Sequence, residues 1–319
     1  MNYEPLVSVI IPTHNRVRLL QQTLKSILEQ TYRNFEIIII SDASTDNTST
    51  VVTSYNDERI KFVELKNNLK YPSRVRNIGI EKAKGEFIAF CDDDDLWIKN
   101  KLEIQVAYLL ANDNIELVAS NSYSFPGHIV PSSQLWRNKR LTYGELLKVN
   151  SIRTSSVIIR KRILDRIGKF DEDEVLHIGE DWDLWMRVLQ CKDNSIVILK
   201  ECLVFYRIGN VKITNSHYEP KKNIRAKLHI YEKHKPFSKV EIQQLLNQIE
   251  VETETKSKKR LIHEITREFY SKEISSHDFF ALENLTFKEK LIILIKLYVR
   301  YIYSILGQKK LFFNTRNIN

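Results

Sequence analysis

Four consecutive aspartates, Asp92–Asp95, follow directly on the apolar run Phe87-Ile88-Ala89-Phe90-Cys91 and precede Leu96-Trp97. Adjacent carboxylates repel one another and need a cation or a set of basic groups to neutralise them. Hard oxygen ligands of this kind suit Mg²⁺ or Mn²⁺, with substrate phosphates completing the shell. The apolar run predicts a buried strand, which places the acidic group at a strand's C-terminal end, where open α/β sheets bind their ligands.

A second acidic pair stands in Gly179-Glu180-Asp181-Trp182-Asp183-Leu184-Trp185. Leu184, Trp185 and Val188 fall at helical spacing, so Glu180 and Asp181 open a helix. Acidic residues there serve either as partners of the helix dipole or as a general base that takes a proton from an attacking hydroxyl. Glu180 and Trp182 are placed on the acceptor side, and Trp136, in the irregular stretch 125–140, offers a stacking surface. Arg74 and Arg76 are the cations available to phosphate.

The elements that must position these groups alternate. Leu6–Ile11 is a strand closed by Pro12-Thr13-His14-Asn15, and Val17, Leu20, Leu24, Ile27 and Leu28 recur as a helix. Strands at Phe35–Ile40 and Ile60–Leu65 follow, with a short helix between, then a helix over Pro72–Lys84 and the Phe87–Cys91 strand. This pattern predicts an α/β protein with a parallel sheet covered by helices on both faces. One rim of the sheet then collects Pro12, Thr13, Asp42 and Asp92–Asp95. Further on, a helix is expected over Ile98–Leu110, with Asp95 as its cap. Strands are expected at Ile115–Ala119, Thr154–Ile159, Ile196–Leu199 and Leu203–Tyr206.

Composition narrows the classes. The 319 residues carry a net charge of +9, and residues 216–319 hold 20 Lys+Arg against 12 Asp+Glu, so the basic surplus belongs to the tail. The first part reads as a catalytic domain over 1–216 and the rest, 217–319, as a basic helical region. Gln243–Ile249 and Leu261–Tyr270 are amphipathic. Leu291–Leu306 is apolar except for a stripe through Lys296 and Arg300, which suits 285–310 either to a membrane surface or to packing on the protein's own core or a second copy, and not to a span. The three cysteines, Cys91, Cys191 and Cys202, form no CxxC pair and fit free thiols in a reducing cytoplasm. No Gly-rich phosphate loop follows the first strand.

Taken together, Val9-Ile-Ile-Pro-Thr-His-Asn-Arg16, Ile40-Ser-Asp-Ala-Ser-Thr-Asp-Asn-Thr48, Arg74-Val-Arg-Asn-Ile-Gly79, Asp92-Asp-Asp-Asp-Leu-Trp97, Gly168-Lys-Phe-Asp-Glu172 and Glu180-Asp-Trp-Asp-Leu-Trp-Met-Arg187 resemble the family 2 glycosyltransferases over about Val7–Ser216. The resemblance implies a GT-A fold, with a Rossmann-like, mostly parallel sheet. It implies inverting sugar transfer from a nucleotide diphosphate to an acceptor hydroxyl, and a divalent metal, Mn²⁺ or Mg²⁺. Carried over, Pro12, Thr13 and Asp42 would meet the nucleobase, Arg74 a phosphate with Arg76 as competitor, and Asp93 the ribose. Asp92 and Asp94 would be the metal signature and Asp181 the general base. Two departures stand out. A single acid, Asp42, precedes Ala43 where many relatives have two. The late Tyr-Arg-x-His becomes Tyr206-Arg207-Ile208-Gly209, with His217 as a distant stand-in.

The expected partners are therefore a nucleotide sugar, a UDP-sugar above others, and a glycan or lipid-linked acceptor in bacterial surface-polysaccharide synthesis. The expected location is the cytoplasm, peripheral on the inner membrane face. A nucleotidyltransferase that makes the activated sugar is the alternative, but Pro12–Arg16 supplies neither its glycines nor its lysine. A nucleic-acid-binding module fits poorly, because the tail's lysines are interleaved with glutamates and no nucleic-acid motif is present.

Overall fold

The computed structural model describes residues 3–126, 130–131, 137–176, 178–208, 229–230 and 233–234. The chain divides into two compact units, Met1–Pro236 and Phe237–Asn319. Trp136, His217, the amphipathic segments 243–249 and 261–270, and the 285–310 segment lie outside the described residues.

The first unit runs β1 (Val7–Thr13), α1 (Val17–Leu28), β2 (Phe35–Ser41), α2 (Thr48–Thr53), β3 (Ile60–Glu64), α3 (Pro72–Lys82) and β4 (Phe87–Phe90). β5 (Leu96–Trp97), α4 (Lys101–Ala111), β6 (Leu117–Phe125), β7 (Val130–Pro131), β8 (Lys139–Leu141) and α5 (Tyr143–Lys148) follow. A 3₁₀ turn at Thr154–Ser156 precedes β9 (Ile158–Arg160), α6 (Lys161–Ile167), α7 (Glu180–Cys191) and β10 (Ile196–Arg207). The main sheet has the order β3-β2-β1-β4-β9-β6-β10-β5. β3, β2, β1 and β4 pair in parallel, as do β6 and β10, and β9 runs antiparallel between β4 and β6.

β1, β2 and β4 are buried almost without interruption, which is why they read as continuous apolar runs and not as alternating ones. Each fully buried Ile, Val or Phe contributes roughly 1.5–3 kcal/mol. Helix α1 lays Leu20, Leu24 and Ile27 on the sheet. Helix α3 approaches β1 so closely that a Cβ on Gly79 would lie 2.4 Å from Ile10 Cγ2. At Gly85, where the chain turns into β4, a Cβ would lie 2.6 Å from Leu6 O and 2.7 Å from Ser8 N. Glycine is what allows the strand to enter there.

Several boundaries differ from the sequence expectation. α4 begins at Lys101, because Leu96-Trp97 is recruited as a short strand onto β10. Asn100 therefore stands at the start of α4, and the Asp95 carboxylate is buried between Ser155 and Arg207. Thr154–Ser156 is a 3₁₀ turn, not the start of a strand. The two late strands are one, β10, bent by register shifts around Cys202. Ile230 and His234, both buried, belong to the first compact unit.

Candidate active site

The C-terminal ends of β1, β2 and β4 form one rim. Thr13, the last residue of β1, donates from Oγ1 to Asp93 Oδ2 at 2.7 Å. Asp42 lies just past β2; its backbone N–H donates to Thr13 O at 2.8 Å and its Oδ1 accepts from Leu69 N at 2.7 Å. His14 Nδ1 donates to Asp42 O at 2.6 Å. Pro12, half-buried, stands opposite Ile40 in the β1–β2 register.

The acidic loop is held from below and from both sides. Thr23 Oγ1, on α1, donates to the carbonyls of Asp93 (3.0 Å) and Asp95 (2.8 Å). Ser155 accepts from Asp92 N at 3.0 Å and donates to Asp95 Oδ2 at 2.7 Å. Arg207 donates from its backbone to Asp95 Oδ1 at 2.8 Å and from Nε to Asp94 O at 2.7 Å. Arg16 Nη1 reaches Asp93 Oδ1 at 3.2 Å and Asp94 Oδ2 at 3.4 Å. Burial pushes the Asp93 carboxyl up to about 7, against the pull of Arg16 and the Thr13 hydroxyl. Asp92, Asp94 and Asp95 each offer one oxygen, and these oxygens lie within 4.8 Å of one another. Three hard anionic donors at that spacing fit a divalent cation.

Arg76 joins this loop to the helix α7. Its Nη2 donates to Asp92 Oδ1 at 2.7 Å and its Nη1 to Glu180 Oε1 at 2.9 Å. Burial alone would lower its pKa, but the charges of Asp92 and Glu180 raise it, so the guanidinium stays charged in a site that is 5% exposed. Burial lifts Glu180 to about 7, against Arg76.

Asp181 is half-buried beside it. Its Oδ2 accepts from Thr154 Oγ1 at 2.9 Å, and its Oδ1 from Trp182 N at 2.7 Å and Asn150 Nδ2 at 3.2 Å. Desolvation and the Asp92 charge raise its pKa, while Thr154 and Arg76 oppose the rise. A carboxylate tuned upward in this way suits proton abstraction near neutral pH.

The residues expected from the sequence divide between rim and scaffold. Thr13, Asp42, Asp92, Asp93, Asp94 and Asp181 gather on the rim side of the sheet. Of the two arginines Arg74 and Arg76, Arg76 is the one inside the acidic network. Arg74 turns away, stacked on Tyr71 at 5.1 Å and facing Glu172 and Glu174 at 4.0 and 3.9 Å. Trp182 and Glu180, expected on the acceptor side, are turned inward. The Trp182 indole N–H is spent on Leu146 O at 2.8 Å, and Glu180 is held by Arg76. Sequence reasoning did not single out Arg16, Thr154 or Ser155 as participants. Arg16 and Ser155 reach the acidic group, and Thr154 reaches Asp181, only once segments distant in sequence fold together.

A family model described as "Glycosyl transferase family 2" matches residues 8–168. The Escherichia coli UDP-Glc:alpha-D-GlcNAc-diphosphoundecaprenol beta-1,3-glucosyltransferase WfgD is 32% identical over 222 residues, covering 67% of this chain and 81% of WfgD. TuaG of Bacillus subtilis (strain 168), named as a teichuronic acid biosynthesis glycosyltransferase, is 30% identical over 230 residues, 69% of this chain and 86% of TuaG. Among solved structures, S. aureus TarS 1-349 in complex with UDP-GlcNAc has a TM-score of 0.58 at 21% identity, covering 89% of this chain and 77% of that one, and shares the fold. With the acidic rim, the sheet order and these likenesses in agreement, the chain belongs to glycosyl transferase family 2 and is a glycosyltransferase.

Proposed function

We propose that this glycosyltransferase moves a sugar, with inversion, from a UDP-sugar to a hydroxyl of a lipid-linked or glycan acceptor in the building of a bacterial surface polysaccharide. The observation that carries the reading is the Arg76 bridge, which fixes the acidic loop and the helix bearing Asp181 at one rim. The UDP-Glc donor and diphosphoundecaprenol acceptor in WfgD's name, and the UDP-GlcNAc bound to TarS, support the substrate classes. The basic surplus of residues 216–319 supports a place on an anionic membrane surface; among the described residues, no helix is long and apolar enough to cross a membrane.

Asp42, with the backbone at Pro12–Thr13, lies where a nucleobase would be read. Asp93, fixed by Thr13, is in reach of the ribose. Asp92, Asp94 and Asp95 would hold Mn²⁺ or Mg²⁺. When bound, the ion offsets charge on the departing diphosphate. Asp181 accepts the proton of the acceptor hydroxyl as its oxygen bonds to the anomeric carbon. The bond from that carbon to the diphosphate oxygen breaks, and its electron pair leaves with the nucleotide. Thr154 and Asn150 aim the Asp181 carboxylate while this happens.

Titration calorimetry of UDP with and without Mn²⁺ tests the site. UDP is expected to bind with Mn²⁺ at least about tenfold more tightly than without it, and Asp94→Ala to remove that gain. Equal UDP affinity with and without metal would overturn the metal assignment.

A further inference from the structure

Asp183 is fully buried in the first turn of α7, two positions after Asp181. Two residues on a helix are separated by about 200° of rotation. Asp183 therefore lies on the face of α7 opposite the one that presents Asp181. A buried carboxylate must be neutralised, and Arg187, one turn on, donates to its Oδ2 at 2.9 Å. That ion pair within the helix would already supply the countercharge. Two more donors converge on Oδ1, and both come from a segment beyond the last strand. His234 Nε2 lies at 2.8 Å and Lys233 Nζ at 2.8 Å.

The same short segment holds the loop between α6 and α7. Lys233 Nζ also reaches Asp171 Oδ2 at 2.6 Å, and His229 Nε2 faces Asp173 Oδ2 at 3.7 Å. Tyr143, on α5, donates its hydroxyl to His234 O, and Ile230 is completely buried. From the other side, Arg187 holds the carbonyls of Ile167 at 2.8 Å and Lys169 at 2.6 Å. The first half of the loop that leads to Asp181, residues 167–173, is thus held from two sides. Asp183 stays ionised: burial would raise its pKa, but His234, Arg187 and Lys233 hold it well below the usual range. An ionised carboxylate only accepts hydrogen bonds, so His234 must present a proton on Nε2.

We infer that His234 and Lys233 are positioning residues for the transfer reaction, clasping the buried face of α7 through Asp183 so that Asp181 is held at the rim. The inference rests on Asp181 being the base. It predicts a split. The nucleotide site is built from the ends of β1, β2 and β4, which none of the clasp contacts named above reaches, so variants in the clasp lower turnover and leave nucleotide affinity alone.

The test uses the full chain with the nucleotide sugar that the wild type hydrolyses fastest in a panel of UDP-, GDP- and dTDP-sugars. kcat is read beside the Kd for the matching nucleoside diphosphate with Mn²⁺. His234→Leu is expected to lower kcat by about tenfold to a hundredfold with Kd within about twofold. His234→Gln, whose amide N–H can take the place of Nε2–H, is expected to restore kcat to within about threefold of wild type. Lys233→Gln, at a partly exposed position, gives an intermediate loss and decides the matter if His234→Leu does not fold. The clasp is overturned if Lys233→Gln and the folded His234 variant keep full turnover, or if kcat and Kd deteriorate together and glutamine does no better than leucine. Asp181→Asn is measured alongside. If it retains turnover, the base assignment fails and the clasp with it; if it is inactive while the clasp variants are normal, the clasp alone fails.

Discussion

Thr154 Oγ1 donates to Asp181 Oδ2 at 2.9 Å, so a 3₁₀ turn on one side of the sheet sets the state of a carboxylate on helix α7. A hydroxyl that donates to a carboxylate favours its ionised form. Asp181 works as a base only when ionised, so the rate should rise with pH through its pKa. Thr154→Val removes the hydrogen bond and raises that pKa further. The rising limb of the pH profile of kcat/KM is therefore expected to move to higher pH, with much of the rate recovered on the alkaline side. A limb that stays in place in Thr154→Val would show that the hydroxyl does not tune Asp181.

Arg76 neutralises two carboxylates at once, Asp92 at 2.7 Å and Glu180 at 2.9 Å. Removing one partner of a buried ion pair leaves the other uncompensated, at a cost of about 3–5 kcal/mol. Arg76→Met should lose about that much in urea unfolding at pH 8. Without the cation, the Glu180 carboxyl, already lifted to about 7, rises further. The folded protein then binds a proton that the unfolded chain releases, so the deficit should shrink as pH falls and Glu180 is neutralised. Arg76→Lys keeps the charge but cannot span both carboxylates, and should recover only part of the stability. An Arg76→Met deficit independent of pH would separate Glu180 from this network.

Gly85 tests the packing beneath the site. Its missing Cβ would meet backbone atoms of Leu6 and Ser8 at 2.6 and 2.7 Å, and backbone cannot move aside as a flexible side chain can. Gly85→Ala should cost about 1–3 kcal/mol. Gly144 has open space where its Cβ would lie, so Gly144→Ala is the control and should leave the thermal midpoint unchanged or raised. Equal midpoints for the two variants would mean that the turn into β4 yields more readily than its contacts suggest.

The sequence by itself determined the layers and the rim. Apolar runs such as Ile37–Ile40 and Phe87–Cys91, short and set between turn residues, read as strands buried on both faces. Each ends in polar residues, so the collection of Thr13, Asp42 and Asp92–Asp95 at one edge follows from parallel pairing alone. The opening of α7 was legible from Leu184, Trp185 and Val188. What the sequence left open were choices between neighbours of the same type. Arg74 and Arg76 are two positions apart, and only the packing of α3 against β1 and α7 decides that Arg76 is the buried one. Asp95 reads as a helix cap until Leu96-Trp97 joins β10, which delays α4 to Lys101. Trp182 reads as a surface for an acceptor until its indole N–H finds Leu146 O. The Asp183 clasp was out of reach altogether, because His234 and Lys233 stand some fifty residues away and no local pattern links them. Local periodicity fixes which face of an element is buried. Which partner neutralises a buried charge depends on contacts across the whole chain, and the tertiary structure alone decides it.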